Sequence, residues 1–180
     1  MPITFKYERD KAKHAVLWLL HRHGGSLDKM KLLKLVFFAD REHLAEHARP
    51  IVGGTYVAMP HGPVPSELYD DIKAAGRTID WLGVDVVKIV ARELPDEDML
   101  SESDIEVLEA IDRTYGRYDS FSLRNLTHQL KAWRQAYPDD GSSHPLPYEA
   151  FFDDLPDRSD VLAVIEEDQE NERMVASLRR

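Results

Sequence analysis

The chain has 180 residues, enough for one domain with a continuous hydrophobic core. It has a net charge of -10 and no cysteine, which excludes disulfides, thiol catalysis and cysteine-ligated zinc. No apolar run approaches the roughly 20 residues of a membrane-spanning helix, and Met1 to Asp10 lacks a secretory signal, so we expect a cytoplasmic protein.

The charge is distributed unevenly along the chain. Residues 1–50 hold ten Lys or Arg and six Asp or Glu, whereas the remainder holds thirteen basic and twenty-seven acidic residues. A chain this acidic is repelled by nucleic acid and by anionic lipid, so we expect neither as a partner, with the basic first quarter as a local exception. The acidic remainder suits a basic protein partner, or it is simply a solvated surface.

Two helices are predicted in the first quarter of the chain. The first runs from about Asp10 to His23, where Gly24-Gly25 ends it. The second begins near Ser26 or Asp28 and continues to about His47. Apolar residues cover most of its circumference, which is typical of a helix in the middle of a core. We expect basic edges on this helix, formed by Lys29, Lys31, Lys34 and Arg41.

Extended segments and a proline-rich loop follow. Ile51 to Met59 is predicted as a strand, and Pro60 to Pro65 as a rigid loop. A short helix from Glu67 to Ala75 comes next. Two further strands, Thr78 to Leu82 and Val84 to Ala91, are expected to join near Gly83 and to form one small antiparallel sheet with the earlier strand.

The rest of the chain is predicted to be helical. Ser101 or Ser103 caps a helix to about Tyr115, with Asp104 and Glu106 in capping-box position. The other predicted helices are Ser120 to Tyr137, Pro147 to Phe152 and Ser159 to Leu178. The sequence therefore predicts an α+β fold, predominantly α-helical: a single compact helical domain with a small antiparallel β-sheet of about three strands.

Three separated motifs occur between about residues 28 and 135. They are Lys31 to Asp40 with His43-Leu44 and Arg49-Pro50-Ile51; His61-Gly62-Pro63-Val64 with Ser66-Glu67-Leu68-Tyr69; and Leu123 to His128 with Trp133. In order and spacing they resemble the Panacea domain, the SocA-like family that includes GepA-type phage-associated proteins. The helical segment Gln129 to Ala132 is shorter than the family usually has at this place.

The resemblance implies an antitoxin that neutralises a cognate protein toxin by binding it directly. Some members of the family are adaptors that deliver the toxin to a protease, so a protease is the alternative partner. The family has no established enzymatic activity and no cofactor, so we expect neither catalytic residues nor a cofactor here. Nothing in the sequence bears on self-association.

Partner-binding residues are expected at the second and third motifs. Prolines fix the loop before binding, which lowers the entropic cost of association, and aromatic side chains often dominate interfaces. The residues assigned to partner binding are His61, Gly62, Pro63, Val64, Tyr69, His128 and Trp133. The alternative is that the loop fixes a chain reversal, His128 bonds a buried carbonyl, and Trp133 fills the core.

Two other functions have weaker support in the sequence. His43-Leu44-Ala45-Glu46-His47 matches the H-x-x-E-H pattern of inverted zinc peptidases. No third ligand accompanies it, so we expect packed or surface histidines and no metal. The first two helices could imitate a helix-turn-helix, which makes a DNA-binding regulator an alternative, but the second helix is too apolar to be exposed to a DNA groove.

The last helix is a candidate docking arm, residues 157–180 of the domain that we assign to residues 1–180. Its apolar residues are Val161, Leu162, Ile165, Met174, Val175 and Leu178, and Glu166 to Arg173 is entirely polar. Such a helix is stable only when it packs on the body or on a partner. Its acidic residues would attract a basic toxin, or the helix is solvated and has no role.

Overall fold

The structure is a computed structural model that describes residues 1–179 and has an α+β fold, 56% helical. Its seven α-helices in this range are α1 (Arg9–Arg22), α2 (Lys29–His47), α3 (Ser66–Lys73), α4 (Glu102–Tyr115), α5 (Ser120–Gln129), α6 (Lys131–Ala136) and α7 (Arg158–Leu178). The strands are β1 (Ser26–Asp28), β2 (Tyr56–Met59), β3 (Gly62–Pro65), β4 (Leu82–Asp85), β5 (Lys88–Ala91) and β6 (His144–Pro145). Glu97–Met99 and Tyr148–Phe152 form 3₁₀ turns. The predicted fold class is confirmed.

Helix α2 lies at the centre of the core, as predicted. Its residues from Leu32 to Asp40 are all buried, and it packs against α1, α4, α5 and β3. The carboxylate of Asp28 accepts a hydrogen bond from the backbone N–H of Lys31 at 3.0 Å and caps the first turn. The helix begins after Asp28 because Ser26–Asp28 pairs with Lys88, Ile89 and Val90 as strand β1.

Two three-stranded antiparallel sheets replace the single sheet that the sequence predicts. One has the order β1-β5-β4 and the other β3-β2-β6. The segment Gly62–Pro65, expected in a loop, pairs as β3 with β2, so that Pro60 and His61 form the turn of a hairpin. The predicted division at Gly83 is also wrong, since Gly83 lies within β4 and the turn falls at Val86 and Val87.

The buried carboxylate of Asp40 fixes the chain after α2. Its oxygens accept hydrogen bonds from the backbone N–H groups of Ile51, Val52 and Gly53 at 2.8–3.1 Å, and from the hydroxyl of Tyr56 at 2.9 Å. The strand predicted from Ile51 therefore begins only at Tyr56, because the three preceding N–H groups bind a side chain instead of a neighbouring strand.

The helix predicted from Ser120 to Tyr137 is interrupted at Leu130. The backbone there is extended, with φ -66° and ψ 132°. The N–H of Lys131 donates to the Asp154 carboxylate at 2.9 Å, so a side chain distant in sequence caps the start of α6. This break divides the predicted helix into α5, which carries His128, and α6, which carries Trp133.

Helix α7 contacts the body mainly through its N-terminal half. Ile165 is buried with 1% exposure, and the side chain of Gln169 donates to the Thr4 carbonyl at 2.7 Å. Beyond Glu170 every described residue is exposed, including Met174 and Leu178. No helix within residues 1–179 combines the length and apolar composition needed to cross a membrane.

Candidate functional site

Three elements converge beside the turn between β2 and β3. Gly62 has φ 104°, which favours glycine, and a Cβ there would lie 2.5 Å from Thr127 Oγ1 and 2.9 Å from Lys34 Nζ. The hydroxyl of Thr127 donates to the Arg124 carbonyl at 2.8 Å. Gly62 is therefore required for α2, β3 and α5 to approach this closely.

Lys34 is buried in this convergence, contrary to its predicted place on a basic helix edge. Its side chain is only 1% exposed, and its Nζ donates to the Pro63 carbonyl at 2.8 Å. Burial, with the nearby Arg124 guanidinium, lowers the pKa of Lys34 to about 7. Within the described residues no carboxylate lies within 4.0 Å of its ammonium.

Three rings stack beside the turn between β2 and β3. His128 and Trp133 are nearly parallel, with centroids 3.7 Å apart and an interplanar angle of 6°, and Trp133 stacks on Tyr137 at 5.1 Å. The indole N–H of Trp133 donates to the Met59 carbonyl at 2.8 Å, which ties the stack to the end of β2. The stack is thus held in place by the fold before any partner binds.

His128 carries no charge at neutral pH. Burial lowers its pKa to about 4, with further contributions from Arg124, Lys34 and His61. Its Nε2 is buried and has no hydrogen-bond partner among residues 1–179. This buried nitrogen therefore has bonding capacity that the described part of the chain leaves unused.

An open cavity of about 410 Å³ lies next to the stack, and we call it the Trp133 cavity. Its lining residues are Pro60, Arg124, His128, Trp133, Arg134, Tyr137 and Asp139. His61 is exposed at the adjoining turn, where its Nδ1 accepts a hydrogen bond from Arg124 Nε at 3.2 Å. Cationic and aromatic groups therefore surround one concave surface.

The residues assigned to partner binding fall into three groups. His61, His128 and Trp133 lie together at or beside the cavity. Gly62, Pro63 and Val64 are buried in β3 beneath it. Tyr69 lies on α3, where its ring faces the ammonium groups of Lys29 and Lys73 at 5.7 and 4.7 Å. Their assignment to partner binding stays a prediction.

Sequence reasoning did not assign Lys34, Arg124 or Arg134 to the site. Lys34 gives the clearest signal, because it interrupts the apolar run from Leu32 to Ala39 on a helix otherwise suited to burial. The two arginines stand in polar helices where many residues are exposed, and nothing in the sequence marks them.

The histidines of the H-x-x-E-H segment have other partners. His43 is fully buried, with Nδ1 2.6 Å from the Arg49 carbonyl and Nε2 3.1 Å from the Asp104 carboxylate. Burial alone would raise the pKa of Asp104, but hydrogen bonds from His43 and Lys11 outweigh it and hold the pKa well below its usual range. Within residues 1–179 no three His, Asp or Glu side chains are grouped as metal ligands. The absence of a bound metal stays a prediction.

The family model described as antitoxin SocA-like, Panacea domain, matches residues 32–134. This is more than half of the chain. The chain belongs to this family. The matched range contains Lys34, Gly62, Thr127, His128 and Trp133, and it leaves α7 outside. Comparison with curated proteins gives no match, and comparison with solved structures gives none either.

Proposed function

We propose that this protein is an antitoxin that neutralises a cognate toxin by binding it directly, without catalysing a reaction. The observation that carries the proposal is its membership of the SocA-like antitoxin family across most of the residues that build the site. The Trp133 cavity supports a binding role, because its ring stack and hairpin turn are fixed by hydrogen bonds to the fold. A preformed surface loses little entropy when a partner binds.

The exposed end of α7 supports a second contact for the toxin. Met174, Val175 and Leu178 lie one turn apart or adjacent and are 63%, 47% and 81% exposed. Exposed apolar residues at helical spacing suit a partner groove. Acidic residues precede them on α7: Glu166, Glu167, Asp168, Glu170 and Glu172. We therefore extend the proposal to α7 as a docking arm for a basic face of the toxin.

Toxin rescue in growing cells tests the proposal. The product of the neighbouring gene is expressed alone and with this chain, and the full chain should restore growth and co-purify with the toxin. His61→Ala should weaken rescue, whereas the matched control His47→Ala, at another exposed histidine, should not. If the neighbouring product is not toxic, or the full chain neither binds nor rescues, the antitoxin proposal fails.

The docking arm needs a truncation that spares the core. Because Ile165 is buried, a chain ending at Glu170 removes only exposed residues of α7. Weaker rescue by this chain supports the arm, and unchanged rescue contradicts it. Replacement of Met174, Val175 and Leu178 by glutamine keeps the helix and should weaken rescue to a similar extent.

The same cells separate direct neutralisation from the adaptor and regulator alternatives. Direct neutralisation leaves the toxin abundant in a complex, whereas an adaptor makes the toxin disappear in a protease-dependent way. A regulator would bind its own promoter tightly at physiological salt. The buried middle of α2 argues against that role, because a recognition helix exposes its side chains to the DNA groove.

A further inference from the structure

Basic side chains gather at the Trp133 cavity. Arg124 and Arg134 line it, His61 bonds to Arg124, and Lys34 lies close enough to influence His128. Among the lining residues, all within the described range, Asp139 is the only acid. The cavity is thus a local concentration of positive charge on a chain whose net charge is -10.

The two cavity arginines have no carboxylate partner among the residues that the structure describes. Neither Arg124 nor Arg134 forms a salt bridge within residues 1–179, although the chain has 33 acidic residues and 23 basic ones. Asp104, in contrast, binds both Lys11 and Arg49. Arg124 donates its Nε to His61 and its Nη1 to Asn125, so its Nη2 and the guanidinium of Arg134 keep their capacity to bind an anion.

We propose that the Trp133 cavity binds an acidic side chain, an aspartate or a glutamate, of the toxin. This inference rests on the proposed antitoxin function and names the chemistry of its partner. A guanidinium binds a carboxylate through parallel N–H groups, and the flat faces of Trp133 and Tyr137 suit the methylene stem of a glutamate. The toxin would then present a basic face to α7 and an acidic residue to the cavity.

A protein carboxylate fits this surface better than a nucleic acid does. A nucleic acid extends beyond the cavity and meets the repulsion of the acidic chain, whereas a carboxylate in the cavity feels mainly the charges within about 10 Å. The cavity is also small, so it suits one side chain better than the continuous phosphate backbone of a nucleic acid.

The probe is a capped tetraglutamate peptide, with capped tetraglutamine as its uncharged control. Binding is followed by NMR through the indole N–H signals of Trp18, Trp81 and Trp133. Only the Trp133 signal should move, because Trp18 and Trp81 are 5% and 7% exposed elsewhere in the fold. Tetraglutamine should leave all three signals in place, and added salt should weaken tetraglutamate binding. Equal effects of the two peptides would overturn the proposal.

Two charge substitutions at the cavity should change the affinity for tetraglutamate in opposite directions. Arg134→Glu should weaken binding about fivefold, whereas Arg113→Glu, at an exposed arginine on α4 that also has no ion pair within residues 1–179, should leave it unchanged. Asp139→Asn removes the acid from the cavity and should strengthen binding about threefold, and asparagine tolerates the φ of 58° at this position. Equal weakening by Arg134→Glu and Arg113→Glu would overturn the proposal, as would weaker binding by Asp139→Asn.

Two further outcomes separate this inference from the antitoxin function. If tetraglutamate binds at the cavity but the full chain rescues no cell, the antitoxin function fails and the cavity chemistry stands. If Arg134→Glu rescues as well as the unchanged chain, the antitoxin function stands and this inference fails. Tighter binding of a uridine tetranucleotide than of tetraglutamate through the same arginines would also overturn it, since the ligand would then be a nucleic acid.

Discussion

Lys34→Met tests whether the buried lysine lowers the free energy of unfolding. The folded protein holds the pKa of Lys34 at about 7, compared with an ordinary value of 10.5. Below pH 7 the folded state must carry a charge in an apolar environment, whereas the unfolded chain exposes that charge to water. The stability cost is therefore complete below about pH 7 and disappears as pH rises toward 10.5.

The magnitude follows from the two pKa values. Between them the unfolded chain binds one proton more than the folded chain, so the free energy of unfolding rises by about 1.4 kcal/mol per pH unit. At about pH 7 the cost is about 4 kcal/mol, and at about pH 9 it is about 2 kcal/mol. Methionine fills a similar volume without charge but leaves the Pro63 carbonyl without its donor, at a cost of about 2 kcal/mol.

We therefore expect Lys34→Met to stabilise the protein by about 2 kcal/mol at about pH 7 and to be neutral at about pH 9. Urea unfolding at the two pH values measures the difference in the free energy of unfolding between the variant and the unchanged protein. The contributions of the other titrating groups cancel in this difference because both proteins contain them. Lys88→Met, at an exposed lysine of β5, is the matched control and should show no such pH dependence. A Lys34→Met protein that is less stable at both pH values would refute the reasoning.

Other predictions concern the same site and the buried ion network. Gly62→Ala should destabilise the fold by about 3 kcal/mol in thermal unfolding, because its φ is positive and its Cβ would meet Thr127. Trp133→Phe keeps a stacked ring but loses the bond to Met59, so urea unfolding should show a loss of about 1 kcal/mol. Because the pKa of Asp104 is depressed in the folded state, stability should fall as pH drops below 3.8, and Asp104→Asn should flatten that dependence in urea unfolding. A larger loss from Trp133→Phe than from Gly62→Ala, or an unchanged acid dependence in Asp104→Asn, would contradict these assignments.

Local signals in the sequence determined most of the helices and the class of fold. The apolar circumference of α2 placed it in the core, and the Ser101 and Asp104 capping box marked the start of α4, where both reciprocal hydrogen bonds are present. These features depend on residues within a few positions of one another, so periodicity and capping chemistry are sufficient to predict them. The family motifs likewise pointed to the loop from Pro60 to Pro65, to His128 and to Trp133 as partner-binding residues, an assignment that stays a prediction.

The tertiary structure decided the features that depend on distant partners. The predicted helix is interrupted at Leu130 because the Asp154 carboxylate caps the start of α6. Ile51 lies outside strand β2, contrary to the prediction, because its backbone N–H donates to the Asp40 carboxylate instead of to a neighbouring strand. Lys34 was expected at a basic edge, but the approach of Gly62 and Thr127 encloses it. Residues that are distant in sequence can bond to a group or bury it without leaving a periodic pattern in the sequence around that group. The charge, burial and unpaired nitrogen that define the cavity therefore emerge only when α2, the hairpin and α5 pack together.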